Sequence, residues 1–469
     1  MIEILKQTAQ RFTGKPVSKI VMLPASGSYR QYYRIYFEED TIIGVFNKDI
    51  KENQAFFAYT EHFYDQNIPV PQILHIEPDL TVYFLQDLGD ETLFSILNKE
   101  RQGNVFSERL LALYHKAIIQ LPRIQILGGK GLDYSKAYPR AAFDEQSMRW
   151  DLNYFKYYFL KLSKIEFDEA LLERDFNTLI TDLLQEKADY FLFRDFQSRN
   201  IMVQNENVYF IDYQGGRKGA LPYDIASLLY DGKAAIPQAL RDEFLGLYIS
   251  EVQKHVSIDA EAFKQRYWHF VLIRILQAMG AYGFRGFYEG KTHFLQSIPF
   301  ALENVSYLLN QNKITLNLPH LKELLFKISQ SSYLRDLAQS KPRLKVVVTS
   351  FSYRKGIPED VTENGGGFVF DCRALPNPGR EEAYKHLTGK DEAVADYLLK
   401  QSEVHVFKTC VLALIDLSVQ NYLSRQFTHL MVNFGCTGGQ HRSVFFAETV
   451  AAYLKSKYPV EVELIHTNL

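Results

Sequence analysis

One acidic loop, framed by short apolar runs, constrains this chain more than any other stretch. Phe193-Arg-Asp-Phe-Gln-Ser-Arg-Asn200 follows Tyr190-Phe-Leu-Phe193 and precedes Ile201-Met-Val203. A further run, Asn207-Val-Tyr-Phe-Ile211, ends at Asp212. Two short strands bracketing the loop and delivering a second Asp beside it read as a hairpin that gathers Asp195, Asn200 and Asp212. The trio suits phosphoryl transfer, which needs a carboxylate near the attacking hydroxyl and hard oxygen ligands for Mg²⁺ bridging the phosphates. Asp195 is the candidate for the first role, and Asn200 with Asp212 for the second. An Asp and an Asn five apart also occur in plain polar turns; the flanking strands set this pair apart.

The order Arg-Asp-x4-Asn, strand, Asp matches the catalytic and metal loops of protein-kinase-like enzymes. Over residues 1–335 the chain resembles the aminoglycoside phosphotransferase family of small-molecule kinases. Within it, the resemblance is closer to the sugar kinases that phosphorylate N-acetylmuramate or N-acetylglucosamine at the anomeric hydroxyl. That implies an α+β, protein-kinase-like bilobal domain, with an N-lobe at about 1–88 and a C-lobe at about 89–335. It also implies ATP and Mg²⁺ as cofactors and a small-molecule sugar as acceptor. Phe193 stands where the family has a His, so that side chain's support of the loop is missing. Asp224, in Leu221-Pro-Tyr-Asp-Ile-Ala-Ser-Leu-Leu-Tyr230, sits at the family's structural Asp and reads as a helix N-cap.

The N-lobe should hold the nucleotide. Leu23-Pro-Ala-Ser-Gly-Ser-Tyr-Arg30 and Tyr32-Tyr-Arg-Ile-Tyr36 read as strand, turn, strand, and Ser26, Gly27 and Ser28 would let backbone N–H groups approach phosphates. An ordinary hairpin has the same look. Thr41-Ile-Ile-Gly-Val-Phe46 is the third strand, with Lys48 near its end as the phosphate cation and Glu52 as its partner on the next helix. A shift of one residue would turn Lys48 to the opposite face. Thr81-Val-Tyr-Phe-Leu-Gln-Asp-Leu-Gly89 reads as the strand entering the hinge, where backbone groups around Gln86 and Asp87 would meet adenine. The segment from Asp144 to Leu160 is a helix dense in aromatics. Its stripe reads as core, with Asp151 and Asn153 as candidate contacts to sugar hydroxyls.

A second signature lies near the C-terminus. Leu430-Met-Val-Asn-Phe434 is a strand, Ser443 to Leu454 a helix, and Gly-Cys-Thr-Gly-Gly-Gln-His-Arg joins them. A Gly-rich turn into a helix points N–H groups at an anion, and His441 and Arg442 add charge and a planar fork. The Cys-x5-Arg-Ser spacing also fits cysteine-dependent phosphatases, with Cys436 as nucleophile and Arg442 as clamp. Together with Phe370-Asp-Cys-Arg-Ala-Leu-Pro-Asn-Pro378 and Leu387-Thr-Gly-Lys-Asp391, the run resembles the C-terminal domain of the RNase adaptor RapZ over residues 344–469. This implies a small α/β domain with a phosphosugar pocket at Thr437, Gly438, Gly439, His441, Arg442 and Ser443, and His405 as a further candidate. It also implies a phosphorylated amino-sugar effector and RNA binding. From Lys345 onward, 13 Lys/Arg face 14 Asp/Glu, too little positive charge to drive RNA backbone binding, so ligand sensing is favoured.

A chain of 469 residues accommodates two or three domains. A net charge of −2 argues against a general polyanion binder, and three cysteines without paired spacing point to a reducing, cytoplasmic setting. No signal peptide or membrane span is expected. The domain boundary is expected in Ser329–Pro342, where helical spacing fades. Three functional classes remain open: an ATP-dependent amino-sugar kinase with a fused phosphosugar sensor, a non-catalytic nucleotide-binding adaptor acting on RNA or protein, and a cysteine-dependent phosphatase.

Overall fold

The runs at Thr41–Phe46 and Val82–Gln86 are nearly continuous and apolar because both of their faces are covered. In the computed structural model, which describes residues 1–24, 30–101, 103, 105–339, 344–360, 366–425 and 427–469, five antiparallel strands form one sheet. They are β1 (Lys19–Met22), β2 (Gln31–Tyr36), β3 (Thr41–Phe46), β4 (Ile73–Ile76) and β5 (Val82–Gln86), in the order β1-β2-β3-β5-β4. Side chains alternate between the faces. Ile42, Val82 and Phe84 pack with Tyr33, Ile35 and Leu5 of helix α1 (Ile2–Thr13). Ile43, Val45, Tyr83 and Leu85 pack against Phe56 and Tyr59 of α2 (Ile50–Asp65).

The rest of this first unit is mainly helical, with α3 (Leu93–Glu100), α4 (Glu108–Pro122), α5 (Glu145–Phe155), α6 (Glu169–Leu183), α7 (Pro222–Leu229), α8 (Gln238–Gln253) and α9 (Ala260–Tyr282). Two small ribbons carry the acidic loop: β6 (Tyr190–Leu192) pairs with β9 (Arg217–Gly219), and β7 (Ile201–Gln204) with β8 (Asn207–Phe210). The strand entering the loop therefore does not pair with the strand leaving it. The expected hairpin is β7–β8 alone, and β6 closes onto the segment after Asp212. The result is a protein-kinase-like fold with a small β-rich and a large helical part.

The chain divides into two compact units, Met1–Gln339 and Ser340–Leu469. Helical structure does not fade at Ser329 as expected; a helix spans Ser332–Gln339, its apolar Leu334 fully buried. The second unit is a four-stranded parallel sheet in the order β11-β12-β10-β13, made of β10 (Lys345–Ser352), β11 (Gly367–Asp371), β12 (His429–Cys436) and β13 (Glu461–His466). The helix Arg442–Lys457 connects β12 to β13. Ser352 and Cys436 are register partners at the C-terminal ends of β10 and β12, the edge at which open α/β sheets place ligand sites. Among the described residues, no helix is long and apolar enough to cross a membrane.

Candidate functional site

The acidic loop leaves β6 with Phe193, whose side chain is buried among Phe191, Phe196 and Tyr213. A phenyl ring cannot hydrogen-bond to the loop, and other groups hold it instead. The carboxylate of Asp224 accepts the backbone N–H groups of Phe193 at 2.8 Å and Arg194 at 2.9 Å, and the amide of Gln125 at 3.0 Å. Asp224 is thus a loop anchor rather than the expected N-cap; the residue at that cap position is Leu221. Burial pushes the Asp224 carboxyl up to about 7 against the pull of these three donors. Arg194 adopts a left-handed φ of 80° and sets its guanidinium on Asp151 through bonds of 2.6 and 3.0 Å. Asp151 is therefore a structural partner of the loop, not free for a sugar hydroxyl as expected, because a nearly buried carboxylate needs a cation.

Asp195, Asn200 and Asp212 come together. The amide of Asn200 donates to the Asp195 carbonyl at 2.8 Å and to Asp212 Oδ2 at 3.3 Å. Asp212 has a left-handed φ of 70°, and Gln214 donates to its Oδ1 at 2.8 Å. Two non-glycine residues at positive φ flanking one loop are the kind of strain that structures store at functional sites. Asp195 keeps 44% of its side chain open to solvent and lies 3.5 Å from Arg274 of α9. Burial pushes its carboxyl up, but the guanidinium groups of Arg274, Arg194, Arg199 and Arg217 outweigh this, and Asp195 sits below the ordinary carboxylate range. Asp212 moves the opposite way, raised by burial and by Asp195 despite Gln214, Arg30 and Arg199. Among the described residues, no three His, Cys, Asp or Glu side chains form a self-sufficient metal cage. One carboxylate and one amide oxygen fit a hard ion that keeps phosphate oxygens and water as its other ligands, which is the habit of Mg²⁺.

The nucleotide candidates fare differently. Ser26, Gly27 and Ser28 lie outside the described residues. Lys48 follows the end of β3 and is exposed, and it does not partner Glu52. Glu52 instead pairs with Arg30 NH2 at 2.9 Å and accepts from Asn47 at 2.9 Å. The Arg30 side chain is 2% exposed and lies over the Phe56 ring at 5.9 Å. The pleat decides this: β3 ends at Phe46, and Asn47, the next residue, is the one that turns inward, onto Glu52 and Asn53. At the hinge, the Asp87 carboxylate is fixed by Arg34 at 2.6 and 3.0 Å, and the Asp87 carbonyl accepts from Gln204. The backbone N–H of Gln86 donates to the Gln72 carbonyl. The Gln86 N–H is thus engaged internally, and the Asp87 carbonyl keeps one lone pair beyond the Gln204 bond.

Beside Asp195 is a cleft of about 120 Å³, lined among others by Arg199, Asp231, Lys233, Arg274 and His293. Asp151 and Asn153 do not line it. Sequence reading missed Arg274, although a lone Arg in the apolar helical run Phe270-Val-Leu-Ile-Arg-Ile-Leu276 signals a buried charge that needs a partner. Arg199, between Asp195 and Asn200, was legible as well. Asp231 and Lys233 had no local signal.

In the second unit, β12 delivers Cys436 to the Gly-rich turn. Its sulfur accepts the Gly439 N–H at 3.2 Å and lies 3.1 Å from Ser443 Oγ. Burial raises the thiol, but Ser443, the Gly439 N–H and Arg442 outweigh that, and Cys436 sits below its ordinary value. Gly439 needs its positive φ of 71°, and a Cβ there would meet Asn468 at 2.9 Å. Thr437 and Gly438 are exposed. Arg442 and His441 are not aimed outward as expected. Arg442 NH1 donates to the carbonyls of Arg373 at 2.9 Å and Leu375 at 2.8 Å, and His441 bonds the Tyr384 carbonyl at 2.9 Å. The turn is braced by these residues, which counts against a phosphatase clamp. A phosphatase would also need an acid as proton donor, and Asp371 and Asp391 are engaged by Arg373 and Thr388. His405 bonds the Leu399 carbonyl at 2.6 Å.

Residues 23–256 match the sequence model of the phosphotransferase enzyme family, and residues 344–469 match that of the RapZ C-terminal domain. A nucleotide-binding protein of Endomicrobium trichonymphae is 40% identical over 139 residues, covering 29% of this chain and 46% of the relative. One of Glaesserella parasuis serovar 5 is 36% identical over 184 residues, covering 36% and 59%. The chain thus spans about half the length of these curated relatives. Among solved structures, choline kinase from Cryptosporidium parvum Iowa II aligns with a TM-score of 0.45 at 15% identity, covering 70% of this chain and 100% of that one. A spectinomycin phosphotransferase in complex with ADP and spectinomycin aligns with a TM-score of 0.43 at 12% identity, covering 70% and 98%. The chain therefore joins a domain of the phosphotransferase enzyme family, at residues 23–256, to a RapZ C-terminal domain at residues 344–469.

Proposed function

We propose that this chain is an ATP-dependent kinase of an amino sugar or related cell-wall sugar, and that its C-terminal domain binds a phosphorylated amino sugar. The observation that carries the reading is the hydrogen-bonded grouping of Asp195, Asn200 and Asp212 on a loop locked from behind by Asp224. Asp195 receives and orients the acceptor hydroxyl. Its low pKa makes it a weak base, which suits a loose transition state in which the proton leaves late. Asn200 and Asp212 would hold Mg²⁺, which when bound neutralises charge on the phosphates. Arg30, paired with Glu52, takes the phosphate-facing role expected of Lys48. Its charge already acts on Asp212.

A non-catalytic adaptor would be favoured by Phe193 in place of a loop His and by a Lys48 that does not reach Glu52. The Asp224 anchor and the Arg30–Glu52 pair answer both points. The test is a panel of sugars with labelled ATP, run on the wild type and on Asp195→Asn. Phosphorylation of at least one amino sugar, reduced at least 100-fold in the variant, is expected. Transfer to no sugar, or equal rates in the two proteins, would leave the adaptor reading standing.

A further inference from the structure

The cleft beside Asp195 carries more positive charge than that carboxylate accounts for. Arg274 answers Asp195 and is itself steadied by Ser227 at 2.9 Å and by Gln277. Arg199 is exposed and Lys233 half-buried, and neither side chain has a hydrogen-bond or ion-pair partner among the described residues. Asp231 is the other carboxylate lining the cleft; burial raises its carboxyl while Arg199, Arg274 and Lys233 all pull it down, but among the described residues none of them forms a close ion pair with it. Three cations thus face two carboxylates, one of which is committed to the chemistry.

The field agrees with this count. At His293, burial lowers the pKa most, and Lys233, Lys291 and Arg199 each lower it further. Lys233 is itself lowered by burial and by Arg199, with Asp231 opposing. Asn200 and Asp212 do not line this cleft, so it lies on the acceptor side of Asp195 rather than the metal side. A polycationic acceptor would meet Arg199, Lys233 and Arg274 together, and like charges at close range are costly.

We propose that the acceptor carries an oxyanion, either a carboxylate or a phosphoryl group, which Lys233 and Arg199 receive while its hydroxyl faces Asp195. This deepens the kinase reading and rests on it for the role of Asp195, but binding can be measured without turnover. The experiment is calorimetry on the full chain without nucleotide, using N-acetylglucosamine, N-acetylmuramate and N-acetylglucosamine 6-phosphate. The wild type is compared with the double variant Arg199→Gln/Lys233→Gln, whose side chains are not part of the core. At least one acidic sugar should bind about tenfold or more tighter than the neutral one, and the double variant should erase that preference. A preference for N-acetylmuramate identifies a carboxylate as the group received, and one for the 6-phosphate a phosphoryl group. Binding that persists in the double variant belongs to another part of the chain and counts against the proposal. Equal binding of all three sugars, or binding of none, overturns it. An acid preference abolished by the double variant, without ATP-dependent phosphorylation of that sugar, upholds the oxyanion site and removes the kinase reading instead.

Discussion

Replacing Asp224 by Ala tests the claim that this carboxylate, rather than a histidine, holds the catalytic loop. The substitution removes a fully buried acceptor used by Phe193 N–H at 2.8 Å, Arg194 N–H at 2.9 Å and the Gln125 amide at 3.0 Å. Each buried donor left without a partner costs about 1–3 kcal/mol. Two stranded backbone groups therefore predict a loss of about 2–6 kcal/mol, with relaxation of the Gln125 side chain leaving its share small. The loss should depend on pH. A carboxyl raised to about 7 keeps its proton in the folded chain when the unfolded chain has already released it. Wild-type stability from this group is therefore fully present below the ordinary carboxyl pKa and declines as pH rises toward 7, by on the order of 4 kcal/mol. The variant lacks that slope, so the gap between the two proteins should be wider at pH 5 than at pH 8. Urea unfolding followed by tryptophan fluorescence is the assay, since Trp150 and Trp268 both lie in the first unit. A gap under about 0.5 kcal/mol at pH 5, or one that grows with pH, would refute the anchor.

Three further outcomes are expected. Arg274→Gln removes the charge that contributes most to lowering the Asp195 carboxyl, so the acid limb of the kcat profile should move to higher pH; an unmoved limb would separate Arg274 from the base. Arg30→Gln should raise KM for ATP or lower kcat by at least tenfold, while Lys48→Gln should change neither by more than about twofold; the reverse result would restore Lys48 to the phosphate role. Glucosamine 6-phosphate should raise the unfolding temperature of the full chain, whereas the wild type and Cys436→Ser should release phosphate from an aryl phosphate equally slowly. Release that depends on Cys436 would revive the phosphatase reading despite the inward turn of Arg442.

The trio Asp195, Asn200 and Asp212 was legible because its spacing is local: two strands and a tight loop fix which side chains meet. The glycine turn after Cys436 was legible for the same reason, since a short strand, a positive-φ glycine and a helix start lie in one contiguous stretch. The Lys48 assignment failed on a matter of register, because a single residue decides which side chain faces Glu52. Arg30, just ahead of β2, takes that place instead. Asp151 was misread because a helix pattern shows which residues are polar, not what they face; it faces Arg194, 43 residues away.

What this amino-acid order determined alone was the chemistry on offer: an acid and an amide in one loop with a second acid after the next hairpin, and a glycine-rich turn into a helix elsewhere. Tertiary structure decided which groups support that chemistry and what surrounds it. Asp224, Arg274, Arg30 and Lys233 reach the site from separate elements. Their effect depends on distance and burial, quantities that come into existence only when remote segments pack together and exclude water.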